Sequence, residues 1–80
     1  MDIIRSANTN YLSIGENEIQ DIWPLYQLKK LDHLVMCSNN ISDIYVIREL
    51  PRLSYLEIQD NPIRDYSPLD ELRDDCEVIR

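Results

Sequence analysis

The chain has a single glycine, Gly15, among its 80 residues. A loop that cradles phosphate groups needs several glycines in one turn, so that class of nucleotide site is excluded. There is one histidine, His33, and there are two cysteines, Cys37 and Cys76. They form no C-x-x-C or H-x-x-x-H spacing, and no EF-hand pattern orders the carboxylates, so no metal ion or other cofactor is expected. Long apolar runs are missing too. Leu34-Val35-Met36-Cys37 and Ile44-Tyr45-Val46-Ile47 are far too short to cross a bilayer, and no membrane partner is expected. Met1-Asp2-Ile3-Ile4-Arg5 carries an acid where a secretory leader carries bases, with no apolar stretch behind it, which predicts a cytoplasmic protein.

Positive charge is the other scarcity. Fifteen acidic residues face eight basic ones, for a net charge of −7. Residues 1–40 hold five acids and three bases, and residues 41–80 hold ten and five, so the excess lies in the second half. Asp70, Glu71, Asp74, Asp75 and Glu77 form its densest part. Such a surface repels phosphate backbones, which argues against direct nucleic-acid binding. It attracts a basic protein partner, and it also keeps a small domain soluble. At 44% hydrophobic residues the chain has enough apolar content for one folded domain with a modest core.

What is abundant is repetition. Asn17, Asn39 and Asn61 are evenly spaced, each one period after the last, and their surroundings repeat with them. Three residues before each lie Ile14, Met36 and Ile58, and five before lie Leu12, Leu34 and Leu56. Two after come Ile19, Ile41 and Ile63; four after, Asp21, Asp43 and Asp65, followed by Ile22, Ile44 and Tyr66. Leu25, Ile47 and Leu69 stand eight after, and Leu28, Leu50 and Leu72 eleven after. Pro24 and Pro68 precede the eight-after position, with Val46 between them in the middle unit.

The stretches Leu31-x-x-Leu34-x-Met36-x-x-Asn39-x-Ile41 and Leu53-x-x-Leu56-x-Ile58-x-x-Asn61-x-Ile63 carry the leucine-rich-repeat pattern, whose period is about 20–29 residues. With the tails through Leu50 and Leu72, they resemble the subclass with a period of about 22 residues found in internalins and phosphatase-regulator-type repeat proteins. The resemblance covers residues 9–72. It implies an α/β solenoid, with short parallel strands on a concave face and short helical or 3-10 segments on the convex face. It also implies that the asparagines bond turn backbone as a ladder. One domain, residues 1–80, then divides into an N-terminal half-cap (1–8), repeats at 9–30, 31–52 and 53–74, and a capping strand at 75–80. Pro24 and Pro68 suit the first turn of a helical segment, and Asp21, Asp43 and Asp65 are expected to cap those segments. Three units and two half-caps describe either an intact small protein or a fragment of a longer array.

Strand alternation turns Leu12 and Ile14, Leu34 and Met36, Leu56 and Ile58 inward and leaves three rows outward. These rows are Tyr11, His33, Tyr55 and Glu77; Ser13, Val35, Glu57 and Ile79; and Gly15, Cys37 and Gln59. Tyrosine is a preferred interface anchor, although aromatic neighbours across a sheet also stabilise the sheet itself. His33 and Cys37, on one strand, lie about 13 Å apart, too far for a nucleophile and its base. Cys37 and Cys76, two strands apart, are separated by roughly 10 Å and should remain thiols. Trp23 sits on the back of the first unit, as packing or as an exposed anchor.

These features predict a non-enzymatic protein-binding module. Its predicted contact residues are Tyr11, His33, Tyr55, Glu57 and Glu77 on the concave face and Asp70, Glu71, Asp74 and Asp75 in the acidic stretch. In one reading it is a small acidic stoichiometric inhibitor, of immunity or anti-defence (anti-CRISPR) type, occluding a basic surface of a nucleic-acid-handling protein. In the other it is a scaffold or regulatory subunit, like phosphatase-regulator or internalin repeats, holding a folded partner. Four strands exposing about 17 Å each give roughly 250 Å² of concave area, against about 800 Å² per partner in a standard interface. Acidic turn residues such as Glu16, Glu18, Asp60 and those from Asp70 to Glu77 must then join the contact, or a homodimer forms through open strand edges at residues 11–15 and 76–80.

Overall fold

The computed structural model describes residues 9–80, so the expected half-cap at 1–8 lies outside the described residues. Four three-residue strands, β1 (Tyr11–Ser13), β2 (His33–Val35), β3 (Tyr55–Glu57) and β4 (Glu77–Ile79), form one parallel sheet in the order β1-β2-β3-β4. Partners across each pair are one sequence period apart: Leu12 with Leu34, Leu34 with Leu56, Leu56 with Val78. The strand-to-strand step and the sequence period are therefore the same quantity.

The back of each repeat is a five-residue 3-10 helix, at Trp23–Gln27, Tyr45–Glu49 and Ser67–Glu71. Packed α-helices need about 8–10 Å between axes, whereas adjacent strands stand about 4.8 Å apart. The narrower, more extended 3-10 turn reduces that mismatch and spans the back in few residues. Pro24 and Pro68 sit in the first turns, where the missing amide hydrogen costs nothing. The expected aspartate caps lie one residue further out. The N-cap positions are Ile22, Ile44 and Tyr66, whose side chains bond no amide. Asp21, Asp43 and Asp65 reach past them and accept the amides of Trp23, Tyr45 and Ser67 at 3.0, 2.8 and 2.9 Å. This is an Asx-type turn, and it satisfies the same orphan donor that a cap would. The Ser67 amide, then its hydroxyl, hold the Asp65 carboxyl below its ordinary value.

Between sheet and back lies one aliphatic core. Leu25, Leu31, Leu34, Met36, Ile41, Ile47, Leu53 and Leu56 are completely buried. Burying a leucine or isoleucine side chain contributes about 1.5–3 kcal/mol, so this column is the main source of stability. The C-terminal end of the stack closes less well. Ile63, Leu69, Leu72 and Val78 are only partly buried, although their counterparts one repeat earlier, Ile41, Ile47, Leu50 and Leu56, are at most 2% exposed.

The asparagine ladder seals the turns after the strands. Asn39 Nδ2 donates to the carbonyls of Ile14, Met36 and Cys37 at 2.9, 3.2 and 3.1 Å, and its Oδ1 accepts the Ile19 amide at 3.1 Å. Asn61 repeats this one rung later: Nδ2 to Met36, Ile58 and Gln59, and Oδ1 from the amides of Asn39 and Ile41. Asn17, at the first rung, is exposed and donates to Ile14 and Gly15.

Each turn also needs one left-handed residue, and it falls on Glu16 (φ 59°), Ser38 (φ 58°) and Asp60 (φ 60°), again one period apart. Side chains other than glycine, asparagine or aspartate are costly there, by roughly 1–2 kcal/mol. Glu16→Gly should therefore raise stability by about 0.5–1 kcal/mol, the strain relieved being partly offset by a more flexible unfolded chain. Urea denaturation reads this directly, and a fall in midpoint would contradict the assigned turn. Gly15, by contrast, sits in a tight space: a Cβ there would stand 3.0 Å from Cys37 Sγ and 3.3 Å from the Cys37 carbonyl oxygen, so Cys37 would have to give by a few tenths of an ångström.

Candidate protein-binding face

The register brings Tyr11, His33, Tyr55 and Glu77 side by side on the outer face of the sheet. Their rings are stacked. The Tyr11 and His33 centroids lie 4.7 Å apart at 24°, and those of His33 and Tyr55 lie 4.3 Å apart at 20°. Three rings thus make one continuous flat strip across three repeats, with 57% of Tyr11 exposed at its open end. The next row sets Ser13, Val35, Glu57 and Ile79 beside one another. Glu57 and Glu77 carry the formal charges of these rows, which contain no lysine or arginine.

Tyr55 sits between those two carboxylates. Desolvation by its neighbours raises its phenol above the ordinary value; the Glu57 charge, a hydrogen bond with Glu57 and the Glu77 charge raise it further. An alkaline titration followed by ultraviolet absorbance should therefore show a late-ionising tyrosine that Tyr55→Phe removes and Glu57→Gln moves back toward the ordinary value. Because the folded value is raised, this group contributes fully below the unfolded value near 10, and its contribution is lost as pH climbs through the folded value. A late-ionising component that survives Tyr55→Phe would contradict the arrangement.

The structure thus gathers five of the sequence-predicted residues, Tyr11, His33, Tyr55, Glu57 and Glu77, on one face. The other four lie elsewhere. Asp70 and Glu71 belong to the third 3-10 helix on the back, and Asp74 and Asp75 to the turn before β4. Two of these four are engaged within the chain, Glu71 with Arg48 at 3.4 Å and Asp75 with Arg73 at 2.9 Å. Both cysteine thiols are free. Burial, reinforced by Asp75 and opposed by Arg73, pushes the Cys76 thiol up, which makes it a slow nucleophile. Among the described residues no cluster of His, Cys, Asp or Glu is suited to a metal ion, and no helix is long and apolar enough to cross a membrane.

The back carries exposed aromatics that were not included among the predicted contacts. Trp23, Tyr26, Tyr45 and Tyr66 are 41–49% exposed. Trp23 and Tyr45, in the same place on successive repeats, lie 6.3 Å centroid to centroid. Arg48 covers the Tyr45 ring at 4.6 Å and also bonds its hydroxyl. The one-period offset of Trp23 and Tyr45 was the available signal.

Comparison with protein-family models gives no match, and comparison with curated proteins gives none either. Solved structures do match. Internalin C2 of Listeria monocytogenes aligns with 92% of this chain at 39% identity and a TM-score of 0.79, and a second internalin of that organism, inlF, with 81% at 38% and 0.78. Together with the parallel register, this decides the class. The chain is a leucine-rich-repeat protein with internalin-like repeats. It spans 31% and 19% of those two longer proteins. Solenoids of this class use their concave surfaces for protein binding. In this leucine-rich-repeat chain the concave surface is the Tyr11–His33–Tyr55 strip and its flanking carboxylates.

Proposed function

We propose that the chain is a non-enzymatic protein-binding module whose concave face receives a positively charged element of a folded partner. The observation that carries this reading is the stacked strip of Tyr11, His33 and Tyr55 bordered by Glu57 and Glu77. Aromatic faces attract guanidinium and ammonium groups, and nearby carboxylates fix their orientation. The strip offers little area, so the acidic turn residues Glu16 and Asp60 complete the contact. A small acidic module of this kind acts in the cytoplasm as a stoichiometric inhibitor, covering a basic surface that a nucleic-acid-handling partner needs. The overall charge of −7 supports this role over that of a passive scaffold. The back-face acids Asp70, Glu71, Asp74 and Asp75 then supply long-range steering rather than contact.

A second reading has one observation in its favour. The partly buried Ile63, Leu69, Leu72 and Val78 lie beside the edge of β4 that is unpaired among the described residues, which suits a homodimer joined there.

Affinity capture from cells that make the protein, followed by titration of the purified partner, tests the first reading. Tyr11→Ala with Tyr55→Ala should abolish binding, and binding should weaken steeply with salt. Charge reversal at Asp70, Glu71, Asp74 and Asp75 should slow association alone. Binding that survives the tyrosine substitutions would refute the concave reading, and a concentration-dependent dimer lost in Val78→Asp would favour the second.

A further inference from the structure

Positive charge is sparse in this chain, yet three of its basic side chains share one groove. Lys30, Arg52 and Arg73 line a groove of about 380 Å³ with Asn10, Asp32 and Ser54, on the edge where each 3-10 segment turns back into the next strand. Lys30 and Arg52 are one period apart and so occupy the same place in successive repeats; Arg73 falls one position short of that place in the third. Asn10, Asp32 and Ser54 keep the same spacing and form the floor. Neighbouring like charges on successive repeats repel, and nothing in core packing demands them at this exposed edge.

The floor's backbone is already satisfied. The Asn10 carbonyl accepts the amides of Asp32 and His33, and the Asp32 carbonyl accepts those of Ser54 and Tyr55 together with the Ser54 hydroxyl. Lys30 is already engaged, and the other side chains are less committed. Arg52 has no ion-pair or hydrogen-bond partner among the described residues, and neither has the side-chain amide of Asn10. Arg73 pairs with Asp75 two residues away, at a surface where both side chains are more than half exposed, and such a pair exchanges partners at little cost. Among the described residues Asp32 is the one carboxylate lining the groove.

We infer that this groove binds the phosphate chain of a small polyphosphate. Cations strung out at the interval of the strands, about 4.8 Å, match a ligand that carries charge along its length better than one compact ion. Two guanidinium forks suit phosphate oxygens, and the volume holds more than one phosphate group. A free inorganic chain and the tail of a nucleoside triphosphate share this chemistry. The site lies on the loop edge, apart from the concave rows, and does not depend on how that face is used.

Two-dimensional NMR titration of the whole chain at low salt, with sodium tripolyphosphate as probe, tests it. Shifts should concentrate on the amides of Lys30, Asp32, Arg52, Ser54 and Arg73. Arg52→Gln should weaken binding about tenfold, the loss of a pair of charge-assisted bonds. Asp32→Asn should tighten it several-fold by removing the opposing charge. Arg64→Gln, at an exposed cation outside the groove, should change nothing, and the dispersion of each variant's spectrum verifies its fold. Magnesium-free ATP binding as tightly as tripolyphosphate points to the shared chain alone, and tighter binding points to a nucleotide; both support the site. Shifts scattered over all basic residues, an effect of Arg64→Gln equal to that of Arg52→Gln, or citrate binding as tightly as tripolyphosphate would overturn it.

Discussion

Asn39→Ala should destabilise the fold by about 3–4 kcal/mol, several times the effect of the same change at Asn17. The arithmetic follows the bonds. Removing the amide deletes three donations and one acceptance. The three carbonyls each keep a second donor: Ile14 from Asn17, Met36 from Asn61, and Cys37 from the Glu16 amide. Only the Ile19 amide loses its partner outright. An orphaned donor costs about 1–3 kcal/mol, and each lost bond that leaves its acceptor satisfied costs less, about 0.5–1 kcal/mol. An 80-residue domain has roughly 4–12 kcal/mol in total, so the variant approaches the threshold of folding. Asn17 is exposed and, among the described residues, its side chain donates only to Ile14 and Gly15, so Asn17→Ala should cost about 1 kcal/mol or less. Equal urea midpoints for the two variants would show that the ladder is not what holds the turns.

The second large effect is graded along the leucine column. Leu12, Leu34 and Leu56 occupy one position in three successive strands, but Leu34 and Leu56 are completely buried while Leu12 is only partly so. Leu34→Ala and Leu56→Ala should each cost about 2–5 kcal/mol, because the cavity has rigid neighbours from both adjacent repeats. Leu12→Ala should cost about half as much, since water reaches part of the vacated space. The spread is diagnostic of a stack. In a compact bundle the three positions would not share one environment differing only by distance from an end. Thermal melts of the three variants give the ordering, and a cost at Leu12 as large as at Leu34 would contradict it.

Much of this architecture was legible in the repeating columns. They gave the strand positions, the register, the inward leucines and the outward rows, because in a parallel stack the sequence period is itself the lateral neighbour relation. The side-by-side placement of Tyr11, His33 and Tyr55 followed directly, although their stacking depends on ring orientations that no period encodes. The left-handed turns were hidden, because neither Glu16 nor Ser38 favours the conformation and only Asp60 is of a type that tolerates it. The ladder overrides local preference, and glycine scarcity conceals it. The aspartates were displaced by one residue from their expected role because a carboxylate can reach over an intervening residue to the same amide. Proximity in sequence made Asp70, Glu71, Asp74 and Asp75 look like one patch. Around the last turn the chain reverses, placing two on the back and two at the edge, with Arg48 and Arg73 each meeting one of them. Tyr66 shares a column with Ile22 and Ile44, yet it is 41% exposed with Arg80 over its ring, because the third repeat has a repeat on one side only within the described residues.

Photo-crosslinking in the cells that make the protein addresses the concave face most directly. Benzoylphenylalanine would replace Val35, in the row beside the stacked rings, or Gln27, exposed at the end of the first 3-10 helix on the back. Irradiation should yield one discrete adduct with a basic protein from position 35 and none from position 27. An adduct from position 27 with none from position 35 would place recognition on the convex surface and contradict the function proposed for the sheet.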